Sequence, residues 1–367
     1  LLQKSIYGLK QAAYNWNKVL NGWFLSVGFK PSQADPCLYI KRSDGGNLLA
    51  VVVYVDNLII AGSSRTMIDG FKREVGARFP MQDLGALKYV LGMEVIRDRP
   101  NKTLKLNQTA YAERLLAKCG MEDCKPVPTP MVDVLTAVDK DEYGPDHSYM
   151  TMVGLIVYYA VMTRPDLAFA AQALGRHMQA TAPEHLKAAK RVLRYIQGTK
   201  HLGLTYGGKL EQPTELVGLA DSDYAADLDT RRSTTGYIFA VGGGVVSYNS
   251  KRQPSVALSS TEAEYMAMCS AAQEAIHLRV LLSDLGFEQT GPTVILEDNQ
   301  GCIALSENPL HHKKTKHIAV RYHYTRELVA AGIIKPLFIP TEHQVADMLT
   351  KPLEGPRLVK LRGQIMG

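Results

Sequence analysis

Apolar and polar positions recur along the chain with two periods, and the switches between them mark out its elements. In residues 12–27, Trp16, Val19, Leu20, Trp23 and Phe24 share one helical face, which predicts a helix that Gly28 ends through its freedom to take positive φ. Residues 48–55 form a valine-rich apolar run, the pattern of a buried strand. Asp56-Asn57 interrupts the run and residues 58–61 resume it, so the polar pair reads as the turn of a β-hairpin. Pro126, Pro128 and Pro130, with the acidic-polar stretch to about Asp146, mark a linker. Beyond it the pattern is helical. Thr163-x-x-Asp166 with Pro165 is a helix-start signature, and a second helix is expected over 183–197 before Gly198.

From about Thr214 strands return. A strand over 216–220 runs into Asp221, and a hairpin over 236–248 turns at Gly242-Gly243-Gly244. Residues 256–258 extend the strand pattern, and Ser259-x-x-Glu262 fits a capping box opening a helix to about Leu285. A strand over 294–296, a short helix, a longer helix over 315–330, a strand over 333–339 and a final helix from Val345 complete the region. With 256–258 counted as part of the hairpin's second arm, the order is β-β-β-α-β-α-α-β-α. The elements predict an α/β and α+β chain divided at 1–130, 131–208, 209–355 and a C-terminal tail, 356–367.

Composition sharpens this picture little. At about 100–200 residues per domain, 367 residues make two or three domains. A chain 46% hydrophobic and 21% charged is neither disordered, collagen-like nor a disulfide-stapled miniature. The net charge of +6 permits a polyanionic partner without requiring one. Five irregularly spaced cysteines suit a reducing compartment. The apolar stretch 48–60 is broken and falls short of the about 20 residues that span a bilayer. The opening residues lack a signal-peptide pattern, so a soluble intracellular protein is expected. The absence of an initiator methionine suggests a piece of a longer one.

Four acids carry the chemistry. Asp221 and Asp298 end strands, Glu264 lies one turn into a helix, and Asp347 stands near the start of the last helix. Any one of them alone reads best as a surface or first-turn acid. Together, in this β/α order, they converge beyond the strand ends, where sites of α/β sheets form. Carboxylates crowded there raise one another's pKa unless a cation joins them. Oxygen donors select Mg²⁺ or Mn²⁺, and two ions about 3.5–4 Å apart can stabilise both oxygens of a phosphodiester displacement.

Ala220-Asp221-Ser222-Asp223, Arg232-Ser233-Thr234-Thr235-Gly236-Tyr237, Ser259-Ser260-Thr261-Glu262-Ala263-Glu264-Tyr265, Glu297-Asp298-Asn299-Gln300 and the segment from Ala346-Asp347 to Lys351-Pro352-Leu353 resemble the ribonuclease H domain of copia-type retrotransposon polyproteins. Lys4 to Ala12, Tyr54-Val55-Asp56-Asn57, Leu91-Gly92, Thr163-Arg164-Pro165-Asp166 and Arg191 to Tyr195 resemble the reverse transcriptase and connection of the same polyprotein. The resemblance covers essentially the whole chain. It implies a truncated palm and thumb, a helical connection, and a ribonuclease H-like fold with a mixed five-stranded sheet flanked by helices. It assigns Asp221, Glu264, Asp298 and Asp347 as catalytic acids and ligands of two Mg²⁺ or Mn²⁺ ions. The implied reaction is hydrolysis of the RNA strand of an RNA–DNA hybrid, in a cytoplasmic particle or the nucleus. Asp223 and Glu297 neighbour two of the ligands, and Asp221 is preferred to Asp223 because it directly ends its strand. His343 is expected to be a loop residue.

In the family, the tip matching Tyr54-Val55-Asp56-Asn57 carries two polymerase acids. Here the second is the neutral Asn57, a weaker ligand for a hard cation. The third acid lies upstream of the segment at which this chain starts, so Asp56 and Asn57 are expected to be a vestigial site without polymerase activity. Gln11 matches a position beside the template. A second hypothesis follows: an inactive retroelement remnant that binds nucleic acid or a protein partner. Lys187, Lys190, Arg191 and Arg194 form a helical stripe, Arg231, Arg232, Lys251 and Arg252 flank the first strands of the third region, and Lys313, Lys314 and Lys316 precede a helix. In a nuclease-like chain such groups suit the phosphate backbone of a hybrid. His312, His317 and His323 lack the paired cysteines of structural zinc sites, and Cys119 and Cys124 are spaced too widely for a redox motif.

Overall fold

The computed structural model describes residues 6, 8–139, 141–208, 214–307 and 319–367, without the side chains of 319–322. They form two compact units, Leu1–Leu87 with Ile276–Gln289, and Lys88–Ala275 with Thr290–Gly367.

In the first unit, α1 (Lys10–Ser26) precedes β1 (Lys30–Pro31), β2 (Leu38–Arg42), β3 (Leu48–Tyr54) and β4 (Asn57–Gly62), and α2 (Arg65–Arg78) follows. The four strands pair antiparallel in that order. A strand covered on both faces needs apolar residues at every position, and β3 is such a strand. Leu49, Val51 and Val53 pack with Leu20, Phe24 and Phe71, whereas Ala50 joins Leu38 and Ile40 against Leu281 and Leu285. The hairpin turn falls one residue earlier than its polar pair suggests. Tyr54 pairs with Asn57, so Val55 and Asp56 make the turn and Asn57 opens β4. Val55 takes φ 56°, a conformation strained for a β-branched residue, and its carbonyl accepts the Trp16 indole N–H at 2.9 Å.

The second unit starts with β5 (Tyr89–Val90), β6 (Met93–Asp98) and β7 (Thr103–Asn107). Four helices follow: α3 (Thr109–Lys118), α4 (His147–Thr163), α5 (Ala168–Gly175) and α6 (Pro183–Thr199). Then β8 (Gly203–Gly207) returns to β7, completing an antiparallel sheet. That pairing joins segments from both sides of residue 130, so compactness divides the chain elsewhere than at 130 and 208.

The signature at Thr163 does not cap a helix. α4 ends there, the Thr163 hydroxyl donates to Gln108 at 2.8 Å, and Pro165–Leu167 is a 3₁₀ turn before α5. Asp166 instead accepts both prongs of Arg164, at 2.8 and 2.7 Å, and the Tyr195 hydroxyl at 2.6 Å. Arg164 and Asp166 are both buried, and removing either partner of such a pair costs about 3–5 kcal/mol.

The remaining elements are β9 (Val217–Ser222), β10 (Thr234–Val241), β11 (Gly244–Arg252), α7 (Ser260–Asp284), β12 (Thr293–Glu297), α8 (Gln300–Glu307), α9 (Ala319–Ala330), β13 (Ile334–Phe338) and α10 (Gly355–Arg362). The strands form one mixed sheet in the order β11-β10-β9-β12-β13. β9 runs antiparallel to β10 and parallel to β12, and β12 runs parallel to β13. This is the helix-flanked, five-stranded mixed sheet that the resemblance implies.

Three local expectations fail, each for a visible reason. Residues 256–258 lie outside the strands, because Gln253 turns inward to donate to Thr235 and the Ala263 carbonyl, and Pro254 offers no N–H to the ladder. The final helix is split into a 3₁₀ turn, Val345–Leu349, and α10. Pro352 forces the break, since it cannot donate and disfavours helical geometry at Lys351. Residues 356–367 are no loose tail: Leu358, Leu361 and Met366 are buried, and Gly367 exchanges backbone hydrogen bonds with Gly203 at 3.1 and 3.2 Å. Among the described residues, no helix is long and apolar enough to cross a membrane.

Candidate metal centre

The site is assembled from the carboxyl end of β9 outward. Asp221 is buried near that end, opposite Gly236 of β10. A Cβ on Gly236 would stand 2.7 Å from Thr350 Cγ2 and 2.8 Å from Leu349 Cβ, so glycine lets the Val345–Leu349 turn lie against the strand pair. That turn is fastened from both ends. The Gln344 amide donates to the Ala220 carbonyl at 2.8 Å, and the Thr350 hydroxyl donates to Asp221 Oδ2. Glu264 arrives from the first turns of α7. Ser259 caps that helix by accepting the Glu262 N–H at 3.2 Å, while Glu262 reaches back to the Leu258 N–H at 2.9 Å. The Ser222 N–H donates to Glu264 Oε2 at 2.7 Å, which ties α7 to β9. Asp298 follows β12 and is half-buried.

Carboxylate oxygens of Asp221, Glu264 and Asp298 lie within 4.8 Å of one another. Asp347 is not in that set. It is fully buried on the 3₁₀ turn, with Oδ1 2.5 Å from the Lys351 ammonium and Oδ2 accepting from Arg357. Asp223 spends its carboxylate on the Ala226 and Thr234 N–H groups, and Glu297 accepts the Asn299 N–H at 3.1 Å.

Burial and crowding perturb Asp221 and Glu264 most clearly. Burial pushes the Asp221 carboxyl up to about 7; Asp347 and Asp298 add to the rise, while Lys351 and Thr350 oppose it. Burial, then Asp221, Glu297 and Asp298, raise Glu264 far above the ordinary carboxylate range. Burial likewise raises the Glu297 carboxyl well above it. Without a cation the cluster must retain protons, because like charges this close cannot all ionise. A set of three carboxylates fits a hard divalent cation, which would remove that conflict.

The other candidate residues scatter. Gln11, Asp56 and Asn57 are exposed in the first unit. Lys187 and Lys190 are exposed on α6, but Arg191 donates to Thr129 at 2.8 Å and Arg194 to the Lys125 carbonyl at 2.7 Å, holding the segment ahead of them. Arg231 and Lys251 are exposed and Arg232 half-buried, whereas Arg252 joins Arg176 on the buried Asp227. His343 is exposed beside Glu342 at 3.6 Å. His312, His317, Lys313, Lys314 and Lys316 lie outside the described residues; His323 stands on α9. Cys37 is exposed, and Cys269 and Cys302 are buried. Sequence reasoning missed Lys351, Arg357 and Gly236, although Lys351 and Gly236 stand inside quoted motifs.

Residues 1–133 match the family model described as reverse transcriptase (RNA-dependent DNA polymerase). Over 358 residues the chain is 39% identical to the retrovirus-related Pol polyprotein from transposon TNT 1-94 of Nicotiana tabacum, covering 95% of this chain and 27% of that one. It is 37% identical over 354 residues to the corresponding polyprotein from transposon RE1 of Arabidopsis thaliana, covering 96% and 24%. The chain thus spans about a quarter of the length of these relatives. Among solved structures it is similar to LC11-RNase H1, isolated from compost, at 13% identity and a TM-score of 0.30, covering 37% of this chain and 93% of that one.

Proposed function

Because the chain belongs to the family of retrovirus-related Pol polyproteins of copia-type retrotransposons, we propose that its C-terminal region hydrolyses the RNA strand of RNA–DNA hybrids with divalent cations, Mg²⁺ or Mn²⁺. The observation that carries this reading is the convergence of Asp221, Glu264 and Asp298 from β9, α7 and the end of β12. These three carboxylates would hold the cation, which when bound lowers the pKa of a water and offsets charge on the phosphate oxygens. Water attacks the scissile phosphorus, the bond to the 3′ oxygen breaks, and a 3′-hydroxyl and a 5′-phosphate result. The chain's own part is positioning. The Thr350 hydroxyl orients Asp221 and the Ser222 N–H orients Glu264, and both carboxyls would have to be ionised to hold the cation. Lys190, Arg231, Arg232 and Lys251 are available for the hybrid's phosphates, with recognition resting on backbone shape and the 2′-hydroxyl.

Asn57 favours a separate reading for the first unit. An exposed tip with a single carboxylate, Asp56, is a poor site for a hard divalent cation, so this unit is not expected to extend primers. The test is cleavage of a labelled hybrid in Mg²⁺ or Mn²⁺. The wild-type chain is expected to cut the RNA strand and Asp221→Asn to abolish cutting. A folded wild-type chain that leaves the hybrid intact, or an Asp221→Asn chain that cuts it equally well, contradicts the proposal.

A further inference from the structure

Thr163-Arg164-Pro165-Asp166 and Arg191 to Tyr195 carry part of the resemblance, yet the three-carboxylate set uses none of them. Arg164, Asp166 and Tyr195 instead build one buried polar network. Besides its two bonds to Asp166, Arg164 donates to the Tyr159 hydroxyl at 2.9 Å, the Thr199 hydroxyl at 2.7 Å and the Thr199 carbonyl at 3.1 Å. Those five bonds match the five N–H groups of a guanidinium. The Tyr195 hydroxyl donates to Asp166 and accepts from Arg362, in the last turn of α10, at 2.7 Å. The guanidinium groups of Arg164 and Arg362 lie 5.7 and 5.8 Å from the centre of the Tyr195 ring. Burial alone would raise the Asp166 carboxyl, but Arg164, Tyr195 and Arg362 outweigh it and hold the group below its ordinary value.

The network reaches the metal centre through α10. Arg357, in the first turn of that helix, donates to Asp347 on the 3₁₀ turn Val345–Leu349 and to the Thr341 carbonyl at 3.0 Å. Thr350, the next residue after that turn, donates to Asp221. Leu358 and Leu361 of α10 share a core with Val345, Met348 and Leu349 of the turn. Asp166 and Phe169 also line a narrow cleft together with Met348, Lys351 and Leu358, so the network abuts the turn directly. A buried ion pair adds little net stability over a well-packed apolar set. What it does add is direction, because each hydrogen bond fixes the geometry of its partners.

We propose that the Arg164–Asp166–Tyr195 network is the part of the nuclease that positions its metal centre from a distance. Tyr195 fixes Arg362 and so the placement of α10, and α10 holds Asp347 and the turn that aligns Asp221. The helical connection is then a working part of the nuclease and not a spacer. The proposal rests on the hydrolytic reading above. Arg164, Asp166, Tyr195 and Arg362 are positioning residues that act through Asp347 and Asp221.

The test uses the full chain, with Mn²⁺ affinity read by calorimetry without nucleic acid and cleavage of a labelled hybrid read at saturating Mn²⁺. Tyr195→Phe removes one hydroxyl and keeps the ring. Arg362→Met removes the charge of a half-buried side chain and keeps its stem. Each is expected to weaken Mn²⁺ binding about 10-fold, the low end of the effect that outer partners of a metal site exert, and to lower kcat with KM for the hybrid unchanged. The double variant is expected to lose no more than either single one, since both cut the same link. A folded Tyr195→Phe chain with wild-type Mn²⁺ affinity and kcat overturns the inference, even if its melting temperature has fallen, because lost stability alone marks an ordinary core network. Should Tyr195→Phe fail to fold, Arg362→Met decides by the same criterion. Additive losses in the double variant also overturn it. Failure of the hydrolytic reading looks different: wild type then leaves the hybrid intact, and the comparison of Mn²⁺ affinities still decides the positioning.

Discussion

The hairpin tip of the first unit and the carboxylate cluster of the second both place acids at strand ends, yet their surroundings set them apart. At the tip, Asp56 and Asn57 are exposed, and water screens whatever charge Asp56 carries. In the cluster, Asp221 and Glu264 are buried with Asp298 close by, and their oxygens approach within 4.8 Å. Only the second arrangement stores a conflict that a cation resolves. A strand-end acid therefore counts as a site candidate through what converges on it: here, a strand, a helix and a second strand end, fastened by Thr350 and Ser222.

The sharpest way to break this comparison is to neutralise one acid in each place. Glu264→Gln is expected to lower hybrid cleavage at least about 10³-fold, or ~4 kcal/mol at 1.36 kcal/mol per tenfold. Asp56→Asn is expected to stay within about 2-fold, as an exposed surface substitution. Equal losses in a steady-state cleavage assay would erase the distinction. Next in size is Gly236→Ala. Its Cβ would press on Thr350 and Leu349, so a loss of about 1–3 kcal/mol in denaturant unfolding is expected, together with reduced cleavage. A neutral result would mean that the turn bearing Asp347 and Thr350 moves aside freely.

A separate effect, read in stability and not in cleavage, is a pH slope. Asp221 has its pKa raised on folding, so the native state keeps a proton that the unfolded chain releases near pH 4. Stability of the metal-free protein therefore falls as pH rises from there toward about 7, and Glu264, raised further, contributes with the same sign. Each kcal/mol lost should lower the melting temperature by on the order of 2–4 °C. Saturating Mn²⁺ is expected to flatten the slope, because the cation replaces those protons. A slope unchanged by Mn²⁺ or by Asp221→Asn would place the titration elsewhere.

Much of the fold was legible because its signals are local. The valine run of β3, the glycine turn between β10 and β11 and the Ser259–Glu262 cap are each decided within a few residues. The acids Asp221, Glu264 and Asp298 were legible because each follows or opens such an element. Asp347 was harder: Pro352 turns its helix into a 3₁₀ turn and aims the side chain at Lys351 and Arg357. Arg164 and Asp166 carried a helix-start signature whose side chains are claimed by each other and by Tyr195, partners about 30 residues away in sequence or closer. Gly236 and Lys351 stand inside the motifs, but their roles are close approaches between segments more than 100 residues apart, which periodicity does not encode.

The most direct measurement is an anomalous difference map from crystals of the chain soaked in Mn²⁺. A peak bounded by Asp221, Glu264 and Asp298, with none at Asp56, is the expected result. Absence of a peak between those three carboxylates, at a concentration that supports hybrid cleavage, would contradict the account.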